Sequence, residues 1–196
     1  MELSGECTAA MTIGIRAALA LAVAAAVTAA VPARADPVRP QATTAYGGRI
    51  SRAQVMRRAA DWVRRDVAYS QDNRLAVWDL HRGRRYRPDC SGFVSMAWAI
   101  NPRQPGLGRA LVTWELPRVS TRIRWAQLQR GDILLRLVPA NRAAEHVQLF
   151  VAWADPARTR ATVLEQSGRA HGMRRAIVVV AVARHAYLPY RYRLIF

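Results

Sequence analysis

The hydrophobic pattern of this chain changes period once, and that change limits the folds open to it. Behind Ser51, the apolar residues Val55, Ala59, Trp62, Val63 and Val67 recur at the 3.6-residue spacing of a helix. A second run, Phe93, Val94, Ala97 and Trp98, follows Asp89 and Ser91, either of which can cap a helix. From residue 132 onward the texture is that of strands, over 132–138, 146–153, 161–165, 176–183 and 187–196. The turn residues between Asp155 and Thr159 make the second and third of these a hairpin. Helices first and antiparallel strands afterwards predict an α+β domain over residues 51–196, with about five strands in its sheet.

Punctuation between these elements sharpens the expectation. The first helix is expected to end near Tyr69 and Ser70, with the arginine pairs at 57–58 and 64–65 mostly on its wet face. Residues 71–88 read as a polar, arginine-rich loop that contains Trp78 and Tyr86. The stretch 101–108, rich in Pro and Gly, stops the second helix.

Ahead of the domain, residues 17–31 carry no charge between Arg16 and Arg34. That run is shorter than the ~20 residues a helix needs to cross a bilayer. It matches the apolar core of a secretory signal, and Ala33-Arg34-Ala35 supplies a small-x-small cleavage pattern. Residues 1–35 are therefore expected to be a signal peptide and 36–50 a flexible lead-in, with Asp36 the mature start. Met11 offers a more conventional basic beginning than Met1, which is followed by Glu2 and Glu6. The expected location is secreted and associated with the cell wall, with no stable membrane span.

Composition narrows the partners. The net charge is +17, and all 30 basic side chains are Arg, since the chain has no Lys. An apolar content of 52% and six Trp exclude a disordered polycation. Arginine surfaces grip carboxylates and phosphates, so an exported chain of this charge is expected to bind anionic wall polymers, less tightly as salt rises. No recognition-helix or aromatic RNA-binding pattern points to nucleic acid. The two Cys and four His form no ligand-spaced cluster, so neither a metal nor a cofactor is expected. A monomer is expected.

Removal of residues 1–35 takes Cys7 with it and leaves Cys90 alone. A lone cysteine in an exported protein cannot form an internal disulfide, so it is either an inert buried thiol or a reactive group. Its position favours reactivity. The first turn of a helix offers unpaired N–H groups and the positive end of the dipole to a thiolate. Ser91 and Gly92 are small enough for a substrate backbone to approach, and nearby N–H groups can hold an oxyanion. A base is also needed. His146 opens the most strand-like run, and Glu165 on the next strand can orient its ring. Gln166 is the neighbouring alternative, but adjacent strand residues face opposite ways.

The stretches Asp89-Cys90-Ser91-Gly92-Phe93-Val94, Gly131-Asp132-Ile133-Leu134 and His146-Val147-x-Leu149-Phe150, in that order, resemble the NlpC-type family of papain-like cell-wall cysteine peptidases. The resemblance covers most of residues 51–196. It implies a papain-like α+β fold in which the nucleophile helix packs on an antiparallel sheet. It also implies cleavage of peptidoglycan stem peptides, typically between D-glutamate and a diamino acid. By position Cys90 matches the nucleophile, His146 the base, and Glu165 the third polar residue, which is often a His in the family. Tyr69 resembles the tyrosine that precedes the nucleophile and lines its pocket. Two departures stand out: Ser70-Gln71-Asp72 replaces a common Gly-Gly turn, and Gln148 follows His146-Val147 where a glycine is usual. The same scaffold also serves amidases, acyltransferases and non-catalytic wall-binding modules.

The remaining candidates have plainer readings. Asp132 is expected in a turn that enters a strand. Trp114 and Trp125 are expected in the core. His81, His171 and His185 are expected on loops or the surface.

Overall fold

A computed structural model describes residues 45–196. The expected signal segment and most of the lead-in lie outside the described residues. Helix α1 spans Arg52–Arg64, and its start is fixed by a capping box. The Ser51 hydroxyl accepts from the Gln54 N–H at 3.2 Å, while the Ser51 N–H donates to Gln54 Oε1 at 2.9 Å. Val55, Ala59 and Trp62 are buried on its inner face, as their spacing requires.

Two expectations for α1 are corrected. The helix stops at Arg64, short of Tyr69, because Asp66 takes a left-handed conformation with φ of 46°. Asp66 and Val67 then donate back to the carbonyls of Val63 and Trp62 at 3.1 and 3.2 Å, a Schellman closure that satisfies the helix end. Arg58, expected on the wet face, is only 1% exposed. It lies in the core because two acceptors await it there: Asp79 Oδ2 at 2.9 Å and the Met96 carbonyl at 2.7 Å.

Asp79 also organises the segment read as a loop, which contains a small antiparallel ribbon, β1 (Val77–Trp78) and β2 (Arg85–Tyr86). One Asp79 oxygen accepts from the Gly83 N–H at 2.9 Å, and the other takes the Tyr46 hydroxyl at 2.5 Å as well as Arg58. Helix α2 follows, Cys90–Ala97, with every residue buried.

The main sheet has six antiparallel strands. They are β3 (Ser120–Arg122), β4 (Ile133–Arg136), β5 (His146–Trp153), β6 (Arg160–Ser167), β7 (Gly172–Val179) and β8 (Leu188–Tyr192), in the order β3-β8-β4-β5-β6-β7. The β5–β6 hairpin is as predicted, its turn held by Asp155, which accepts from the Thr159 and Arg160 N–H groups at 3.0 and 2.7 Å. β3 was absent from the sequence expectation, since three residues carry too little alternation to read. The strand expected at 176–183 begins earlier, at Gly172, and ends at Val179, where Val180–Ala183 winds into a helical turn, α3. The last strand stops at Tyr192.

Strand alternation gives the sheet two buried faces. Ile133, Leu135, Val147, Leu149 and Leu164 pack with α1 and α2, while Leu134, Phe150 and Val163 face a second cluster with Leu128 and Val180. Asp132, expected in a turn, follows Gly131 at φ of 88° and is fully buried. It accepts from Arg52 at 3.0 Å, from Arg191 at 2.7 and 3.0 Å, and from the Gln129 N–H at 2.9 Å, so it fastens α1 and β8 to the start of β4. Among the described residues, no helix is long and apolar enough to cross a membrane.

Candidate active site

The site begins with how α2 starts. Asp89 is the N-cap: its Oδ1 accepts from the Gly92 N–H at 2.7 Å and from the Ser91 hydroxyl at 3.1 Å. Its other oxygen is held by Arg87 through Nε at 2.6 Å and through Nη2. The Phe93 N–H bonds the Asp89 carbonyl at 2.9 Å. Asp89 thus takes the N–H groups of Gly92 and Phe93 and leaves those of Cys90 and Ser91 as the other first-turn donors.

Gly92 and Ser91 differ from their expected part in this arrangement. At Gly92 the chain that approaches is its own, since a Cβ there would lie 1.9 Å from the Arg87 carbonyl oxygen. Only glycine lets residue 87 cross so close to the helix. The Ser91 side chain is turned to Asp89 and is 1% exposed, although the residue borders the cleft.

Cys90 stands at the tip of α2 and lines a cleft of about 770 Å³. Its sulfur lies 3.5 Å from the Thr113 hydroxyl, a partner with no signal in the sequence. His146 and Glu165 line the same cleft, and His146 Nε2 is 2.7 Å from Glu165 Oε2. With Nε2 engaged by the carboxylate, Nδ1 is the ring nitrogen left to exchange a proton with sulfur.

Glu165 is heavily bonded. It is 2% exposed and receives, besides His146, the Gln148 amide at 2.7 Å and the Arg174 guanidinium through Nε at 2.8 Å and through Nη2. His146 and Gln148 are two apart on β5 and so share a face, which explains why one carboxylate serves both. Gln166 looks the other way, its amide donating to the Val67 carbonyl at 2.8 Å. Gln148 was visible in sequence only as a departure from a family pattern. Arg174 was visible only as one of many arginines.

The electrostatics follow from these bonds. Burial disfavours charge on His146, but hydrogen bonding with Cys90 and Glu165 outweighs it and raises the ring to about 9. Burial likewise pushes the Glu165 carboxyl up, while hydrogen bonds from His146, Gln148 and Arg174 bring it down to about 2. The imidazole is therefore protonated at neutral pH, beside an ionised carboxylate and against the cysteine.

The walls of the cleft carry Tyr69, Trp114, Tyr187 and several arginines. The Tyr69 hydroxyl accepts from Gln71 at 2.9 Å, and burial is the main reason its ionisation is pushed up. Its ring lies against Gly168, where a Cβ would come within 3.2 Å. Trp114, expected in the core, is 41% exposed at the cleft with Arg142 stacked 4.8 Å from its ring centre. Trp125 is partly buried against the second cluster. His81, His171 and His185 are exposed.

Fold and site together define an α+β domain in which a cysteine at a helix N-terminus shares a cleft with a His–Glu pair from an antiparallel sheet. No family model matches the chain, and no curated protein matches it. Among solved structures it is similar to Ly7917 with the hydrolysing product of MDP, at a TM-score of 0.47 and 15% identity over 72% of this chain and 62% of that one. A structure of Ly7917 alone gives a TM-score of 0.44 and 13% identity with the same coverage. The chain thus matches less than two thirds of the length of Ly7917.

Proposed function

We propose that this chain is a secreted cysteine peptidase of NlpC type that hydrolyses peptide bonds in peptidoglycan stem peptides, with Cys90, His146 and Glu165 as its triad. The observation that carries the reading is the His146–Glu165 contact of 2.7 Å, in a cleft that Cys90 also lines. A buried, bonded carboxylate that holds a histidine in one orientation beside a helix-tip cysteine is the arrangement a thiol nucleophile needs.

In this mechanism the His146 imidazolium holds the proton given up by Cys90, and the thiolate attacks the carbonyl carbon of the scissile bond. The resulting oxyanion accepts hydrogen bonds from the N–H groups of Cys90 and Ser91, each such donor contributing about 3 kcal/mol where measured. As the C–N bond breaks, His146 returns its proton to the departing amine and leaves a thioester on Cys90. Water, deprotonated by His146, then attacks that thioester, releases a carboxylic acid and restores the thiol. Glu165 remains ionised throughout and stabilises the imidazolium. Tyr69 and Trp114 form walls against which the peptide lies.

Defined muropeptides and mass analysis of their fragments test this. The expected result is cleavage within the stem peptide, abolished by Cys90→Ala and slowed about 100-fold or more by His146→Ala. Release of the intact stem from the sugar would make the enzyme an amidase. Wall association without any soluble fragment from the wild type would make the chain a binding module.

A further inference from the structure

Arginines crowd the cleft, and most of them are already spent. Arg87 pairs with Asp89, Arg142 with Glu145 at 2.6 Å, and Arg174 with Glu165. Arg136 differs. Among the described residues no carboxylate pairs with it, and its Nε is buried without a hydrogen-bond partner. It also stands where the chemistry is. In the β4–β5 ladder Arg136 is the register partner of His146, and both line the cleft with Cys90. Residues directly opposite in an antiparallel pair project from the same face, with Cβ atoms about 5 Å apart.

The guanidinium is held in place before any ligand arrives, lying 5.6 Å from the centre of the Tyr187 ring. Its neighbours sharpen its need for an anion. His146 is cationic at neutral pH, and the carboxylate nearest that ring, Glu165, already receives His146, Gln148 and Arg174. A fixed planar fork whose Nε–H is desolvated and unpartnered matches the geometry of a carboxylate.

We propose that Arg136 binds a free carboxylate of the substrate beside the scissile bond, and so makes the enzyme selective for peptides that are anionic at that point over their amidated counterparts. This rests on the peptidase reading above. The carboxylate in question belongs to the residue that supplies the scissile carbonyl.

The test uses two synthetic peptides that differ only in carrying a carboxylate or a carboxamide at that residue, with the full chain as enzyme. The wild type is expected to prefer the acid by about tenfold or more in kcat/KM, chiefly through KM. Arg136→Met should bring the ratio close to one, and Arg136→Lys, which keeps the charge but loses the fork, should leave it intermediate. Thermal unfolding of each variant checks that the fold persists. Calorimetric binding of the same peptides to Cys90→Ala, with and without Arg136→Met, reads the subsite independently of turnover. An undiminished acid preference in Arg136→Met overturns the proposal, as does equal cleavage of acid and amide by the wild type, which leaves the peptidase reading standing. Binding that prefers the acid and depends on Arg136, with no cleavage of either peptide, supports the subsite and removes the peptidase reading instead.

Discussion

His146 shows how a few bonds decide the charge of a side chain and, through it, a pH dependence. Its pKa rises from the ordinary 6.5 to about 9, so the pairing it makes stabilises the fold fully below pH 6.5 and is lost as pH climbs through about 9. Glu165 falls from 4.5 to about 2, so its contribution is complete above pH 4.5 and disappears as pH drops through about 2. Both are in force between pH 4.5 and 6.5. Urea unfolding across pH should show Glu165→Gln most destabilising in that window, with the difference narrowing above pH 9. The alkaline limb of kcat/KM, expected near pH 9, should move down by roughly one unit or more in Glu165→Gln, since an amide no longer favours the imidazolium. At this scale the sequence was informative about Cys90, His146 and Glu165, because each sits at a position its element dictates. It was silent about Thr113 and Arg136 and showed Gln148 only as a departure from a pattern, because the meaning of all three comes from neighbours distant in the chain.

Helix α2 depends on two residues just around its start. Asp89 satisfies two backbone donors of the first turn, one with its side chain at 2.7 Å and one with its carbonyl at 2.9 Å. Loss of the side-chain cap in Asp89→Ala should cost about 1–2 kcal/mol of unfolding free energy and loosen the tip that carries Cys90. Gly92→Ala forces a methyl toward the Arg87 carbonyl and should cost about 1–3 kcal/mol. Urea midpoints measure both, and faster hydrogen exchange at Cys90 and Ser91 would report the loosened tip. The requirement for glycine at 92 was legible as a small residue, but its reason was not. Smallness was read as room for substrate, whereas the space is filled by the chain itself. Helix α1 carries a similar lesson, since the 3.6-residue pattern runs on to Val67 although the helix stops at Arg64. Val67 is buried from beyond the helix, so burial continued where the hydrogen-bond ladder did not.

Across the whole molecule, Arg58 and Asp79 join three parts of the chain. The guanidinium reaches from α1 to the carboxylate of the β1–β2 ribbon and to the Met96 carbonyl in α2, and both side chains are almost wholly buried. Arg58→Met should destabilise the fold by about 3–5 kcal/mol, because it strands a buried carboxylate that Tyr46 and Gly83 then bond alone. The double change of Arg58→Met with Asp79→Asn should recover part of that loss, which equilibrium unfolding of the single and double variants measures. The charge-pattern expectation failed here for a physical reason. Arginine on a helix is usually solvated, and only a carboxylate supplied from another element makes burial tolerable.

Local chemistry alone determined the α+β order of elements, the hairpin between β5 and β6, the capped start of α1 and the residues able to form a thiol site. These follow from hydrogen-bonding and hydrophobic periods that act over a few residues. Tertiary structure alone decided that Asp132 and Asp79 are internal fasteners, that Trp114 faces the cleft, and that Glu165 is ringed by three donors. It also left Arg136, beside His146, without a carboxylate partner among the described residues, since an arginine is spent or available only according to which carboxylates the fold brings within reach of it.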